Sequence, residues 1–134
     1  ANLALEGIGG INWEYKTGDH WKMPGVFKCL EIWTNTSGSP AINYEFGDGC
    51  TLSSITREGS SLIYRIKHDI GHLRYFVVAM PSATRESGSY EVCMPTYLDR
   101  TTTSIGIQFK GPQGTVAMPQ YFTLLFCGEP RIGN

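Results

Sequence analysis

The feature that most constrains this chain is its punctuation. Clusters of Gly, Pro, Ser and Asn interrupt it every ~8–12 residues, with short β-rich runs between them. Val26 to Trp33 alternates apolar with polar and stops at Asn35-Thr36-Ser37-Gly38-Ser39-Pro40. Ile42 to Phe46 alternates and stops at Gly47-Asp48-Gly49. Leu62 to His68, Leu73 to Met80, Ser89 to Met94, Ser104 to Lys110 and Gln120 to Cys127 complete the series. No window sustains the 3.6-residue period of a helix. The expectation is an all-β chain: one antiparallel β-sandwich of about seven to nine strands.

The length, 134 residues, suits one domain with a core of its own. Domain boundaries are expected at 1–127, with 128–134 as the start of a linker. Net charge is -1 and only 17% of residues are charged. A nucleic-acid partner would call for a basic face, so none is expected. No apolar run approaches the ~18 residues of a membrane-spanning helix, so no membrane insertion is expected. The longest such run, Tyr75 to Met80, is strand length and apolar at every position. From a start at Ala1 the expectation is a mature or trimmed form, as of a processed secretory protein.

Four cysteines, Cys29, Cys50, Cys93 and Cys127, stand at wide, unequal spacings. That pattern points to two disulfides rather than to a CxxC metal knuckle. Three pairings are possible; Cys29–Cys50 with Cys93–Cys127 joins nearest neighbours in sequence. Each bridge would contribute roughly 3–4 kcal/mol and imply an oxidising compartment. The alternative is four buried free thiols.

Two of the three histidines, His68 and His72, flank Asp69-Ile70-Gly71. Three residues ending in glycine make a hairpin loop, with Gly71 in the left-handed position. That register sets His68 opposite His72, with Cβ atoms ~4.5–5.5 Å apart. It also pairs Ile66 with Arg74, Tyr64 with Phe76 and Leu62 with Val78. Two imidazoles so placed suit a divalent ion such as zinc, and His20 is the one remaining histidine able to join them. His20 lies in Thr17 to Lys22, read as a turn over the hairpin tip. Asp19 and Asp69 are candidates for a fourth ligand or for fixing the ring tautomers. The competing reading is three unrelated histidines.

Three histidines on zinc leave one coordination position open. Arg74, on the same face, would pair with a carboxylate on a bound ligand, and Trp21 and Asp69 would line the site. No HExxH helix and no Gly-x-Ser-x-Gly elbow is present. Binding is therefore expected, not catalysis. Trp33 and Tyr44 are expected in the core.

In the second half, Phe76-Val77-Val78-Ala79-Met80-Pro81, Gly88-Ser89-Tyr90-Glu91-Val92-Cys93-Met94-Pro95 and Tyr121-Phe122-Thr123-Leu124-Leu125-Phe126-Cys127 follow one another. This order resembles the receptor-binding domain of chaperone–usher fimbrial tip adhesins, over roughly residues 76 to 134. It is similar to the P-pilus type and to the mannose-resistant Proteus-like type, where a three-histidine zinc site is known. The resemblance implies an extracellular domain at a fimbrial tip, exported through the periplasm and acting in attachment and biofilm formation. It implies a host-surface receptor, either a glycan or a carboxylate-bearing ligand. It also implies a pilin domain and further fimbrial subunits in the full-length protein. A metal-free lectin domain of the same kind is the alternative.

Overall fold

The computed structural model describes residues 10–15, 19–35, 38–83 and 92–132; for 10–15 and 19–24 it describes the backbone alone. The described chain is all-β and forms two antiparallel sheets packed as a sandwich. In chain order the strands are β1 Gly10–Tyr15, β2 Asp19–Trp33, β3 Ala41–Phe46, β4 Leu52–Glu58 and β5 Ile63–His68. They continue with β6 Tyr75–Pro81, β7 Met94–Leu98, β8 Ser104–Lys110, the two-residue β9 Val116–Ala117, and β10 Tyr121–Gly128. One sheet runs β1-β2-β10-β6, with β3 also on β2. The other runs β4-β5-β8-β7, with β9 on β8.

Period-two burial explains the pairing. In β10 the even positions Phe122, Leu124 and Phe126 are buried. In β6 the odd positions Tyr75, Val77 and Ala79 are buried, and in β8 Ile105, Ile107 and Phe109. These side chains meet between the sheets with Leu30, Ile32, Tyr64 and Ile66. Ring contacts run through the middle: Tyr64 to Phe122 at 5.2 Å and Phe109 to Phe122 at 4.9 Å between centroids. Burying each such side chain stabilises the fold by roughly 1.5–3 kcal/mol before the entropic terms.

Four expectations change here. Asp69-Ile70-Gly71 does not close a hairpin, because β5 pairs with β4 and β8 while β6 pairs with β10 in the opposite sheet. Segment 69–74 is a crossing between sheets, so the predicted partners of Ile66, Tyr64 and Leu62 do not hold. Gly71 does take a positive φ of 82°, the left-handed conformation foreseen for it. Asp19 to Lys22, read as a turn, belongs to β2; there His20 pairs with Glu14, and Trp21 with Trp13. The strand expected at Ser89 to Met94 lies partly outside the described residues, and the strand that follows, β7, begins at Met94.

The disulfide framework is the fourth. None of the four cysteines is in a disulfide. The faces give the reason. Cys29 and Cys127 sit among the outward positions of β2 and β10, whereas Cys50 and Cys93 are buried in the core. Cys29–Cys50 and Cys93–Cys127 would each join an outward position to a core position, on opposite sides of a sheet.

Candidate functional site

The stretch Ile66 to Tyr75 carries most of the residues that the sequence nominates. Its alternation ends at His68 because the chain must leave one sheet and enter the other. His68 is buried at the end of β5, and its ring stands edge-on to Tyr75 with centroids 4.9 Å apart. Nδ1 accepts the Ile70 N–H at 3.2 Å, which leaves the ring proton on Nε2. Nε2 lies 2.9 Å from the Tyr75 hydroxyl, which donates onward to the Thr101 carbonyl at 2.7 Å. Burial pushes the His68 pKa down to about 4; the Asp69 carboxylate opposes this and His72 adds to it.

His72 is bound in the same manner. Its Nδ1 accepts the Arg74 N–H at 3.0 Å, and its Nε2 donates to the Pro130 carbonyl at 2.7 Å. The remaining nominees also engage the end of the chain. Arg74 is paired with Glu129 at 2.7 Å. Asp69 accepts the Thr51 N–H at 2.7 Å and pairs with Arg131 at 3.0 Å. Glu129 N–H donates to the Arg74 carbonyl and Arg131 N–H to the Gly49 carbonyl. Residues 128–131, read as the start of a linker, are thus pinned to the sheet crossing.

A zinc shell needs imidazole lone pairs aimed at one point. Here the Nδ1 lone pairs of both rings take backbone N–H groups and both Nε2 protons are donated to oxygen. As placed, His68 and His72 do not fit a shared metal. His20 lies on β2 five positions before Gly25, the residue paired with the last residue of β10; that is about 17 Å along an extended strand. The side chains of His20 and Trp21 are outside what is described. Among the described residues, no group of three or more His, Cys, Asp or Glu is placed to hold a metal ion.

A second cluster lies on the outer face of the β2-containing sheet. Trp33 is 40% exposed and Tyr44 57% exposed, so neither is the core residue expected from the alternation. The register places Trp33 opposite Tyr121, and the two rings stand 5.9 Å apart, tilted by 36°. Glu31 is two positions along β2 and opposite Tyr44 on β3. Its Oε1 accepts the Trp33 Nε1–H at 3.0 Å and the Asn43 amide at 2.8 Å. No donor reaches Glu31 Oε2 among the described residues. Nearby, the Arg57 guanidinium from β4 donates to the carbonyls of Thr34, Asn35 and Gly38, fixing the chain just after Trp33.

This cluster escapes the sequence reading because that reading places Trp33 and Tyr44 in the core. The usable signal was that apolar residues stand on both parities of β2, β6 and β10. A separate cleft of about 280 Å³ opens between β3 and β4, lined by Pro40, Ile42, Leu52, Ser53, Ser54 and Ile55. No described protein family, no curated protein and no solved structure matches this chain.

Proposed function

We propose that this is a receptor-binding domain of adhesin type that takes carbohydrate, without metal, on the outer face of the β2 sheet. The observation that carries the proposal is the exposed Trp33–Tyr121 platform with Glu31 held rigid at its edge. Aromatic faces present an apolar body to the C–H side of a pyranose ring. Such stacking needs hydroxyl partners at the rim to fix orientation. Glu31 Oε2 is an open, charge-assisted acceptor, and Tyr44 and Tyr121 bring further hydroxyls. Trp33 and Asn43 hold the carboxylate in place, so little side-chain entropy remains to be lost on binding.

The test is a printed glycan array followed by tryptophan-fluorescence titration of the glycans retained. Trp33→Ala should abolish binding, Glu31→Gln should weaken it about tenfold, equivalent to one charge-assisted hydrogen bond, and a chelator should change nothing. Full retention by Trp33→Ala would remove the proposal. The competing proposal keeps the adhesin role but uses zinc on His20, His68 and His72. It rests on His68 and His72 both being buried at the crossing between β5 and β6. It requires both rings to give up their present partners. One equivalent of zinc in protein purified without chelator, lost in His72→Ala, would favour it over the sugar platform.

A further inference from the structure

The outer face of the β2 sheet continues past the aromatic platform into a part with a different character. The register places Phe46, Cys29, Leu125 and Val78 in one row across β3, β2, β10 and β6. The next row is Val26, Cys127 and Phe76. Phe46 is 63% exposed, Val26 55% and Phe76 54%. A one-sided antiparallel sheet alternates apolar with polar; a strand apolar on both parities belongs to a sheet covered on both faces. β6 is such a strand, and none of the described chain covers its outer face.

We infer that a second copy of this chain covers this part of the face, packing sheet against sheet around a two-fold axis. Three observations select that occupant. The first is charge. Among the outward positions of β3, β6, β10 and residues 26–33 of β2, Glu31 is the only charged residue, and it belongs to the platform and is already hydrogen-bonded. A self-complementary contact sets each group near its own copy, so a neutral patch avoids like-charge repulsion. The second is area. Taking roughly 150–250 Å² for a whole aromatic side chain, the two rows with Met80 present on the order of 500 Å² of apolar surface. That lies at the upper end of what monomers expose. Two such faces give about 1,000 Å², the least a specific interface is expected to bury. The third is shape. A sheet face packs well on another sheet at about 10 Å separation, and the half-buried Leu125 and Cys29 lie at the centre of the patch between the more exposed Phe46 and Phe76.

The contact leaves Trp33 and Tyr121 at the far end, so the dimer would present two platforms. It stands independently of what those platforms bind.

The experiment is sedimentation equilibrium of the chain over a range of concentrations, with Phe76→Lys/Val78→Lys as the variant. Both positions point outward, so circular dichroism should be unchanged. The wild type should move from monomer to dimer mass as concentration rises, and the variant should stay monomeric. A wild type that stays monomeric throughout overturns the inference, and so does a dimer that persists in the variant. A monomer that floats with phosphatidylcholine vesicles also overturns it and gives the face to lipid. Trp33→Ala should dimerise normally, so failure here is distinct from failure of the sugar platform.

Discussion

His68 shows how one buried ring ties chain chemistry to conditions. Its ordinary pKa is 6.5 and burial lowers it to about 4 in the fold. Between those values the unfolded chain binds the proton and the folded chain does not. The stability due to the neutral ring is therefore complete above 6.5 and falls as pH drops towards 4. At ~1.4 kcal/mol per unit the loss is about 3 kcal/mol. Asp69 adds to the same trend. Burial raises its pKa, but the Thr51 N–H and Arg131 outweigh this and leave it lowered, so its contribution also disappears in acid. Urea midpoints measured from pH 7 to pH 4 should fall steadily, and His68→Gln should flatten the part of the slope above pH 5. An unchanged slope in the variant would mean that another group takes up the proton.

At the scale of elements, the crossing 69–74 and the end of β10 form one unit. β6 begins where β10 finishes, with Tyr75 paired to Gly128. Gly128 takes a φ of 111°, and a Cβ there would stand 2.6 Å from the Arg74 carbonyl oxygen. Gly128→Ala therefore meets both a forbidden backbone region and a backbone atom that cannot move away. It should destabilise the domain by about 2–3 kcal/mol, more than the ordinary Gly-to-Ala range. Hydrogen exchange should show the loss concentrated in β6, β10 and the Glu129–Arg131 segment. A wild-type midpoint in thermal unfolding would contradict this account of the junction. The same unit explains why Arg74 and Asp69 are engaged with Glu129 and Arg131.

For the molecule as a whole, stability comes from the aromatic and aliphatic layer between the sheets and not from covalent staples. Cys50 is the extreme case, its thiol pushed up to about 12 by burial, with the Lys28 ammonium opposing. A thiol held protonated is a poor nucleophile. Under native conditions Cys50 should alkylate far more slowly than under denaturing ones, and a reductant should leave the thermal midpoint where it was. A mass lower by two or four protons, with a midpoint that drops on reduction, would show that the chain is bridged after all.

The sequence by itself determined the all-β class, several strands close to their observed limits, the left-handed Gly71 and the poverty of charge. Those properties are local. Alternation, β-branching and turn residues act over a few positions, and they stand in the text from Ile42 to Phe46 and from Ser104 to Lys110. Only tertiary structure decided which strands pair. A loop such as Asp69-Ile70-Gly71 has the same composition whether it closes a hairpin or carries the chain between sheets; the choice depended on β10 arriving from about fifty residues away to pair with β6. That choice gave His68 and His72 separate hydrogen-bond partners. It also turned Trp33, Tyr44 and Phe76 outward, because a strand with apolar residues on both parities does not say which parity is buried.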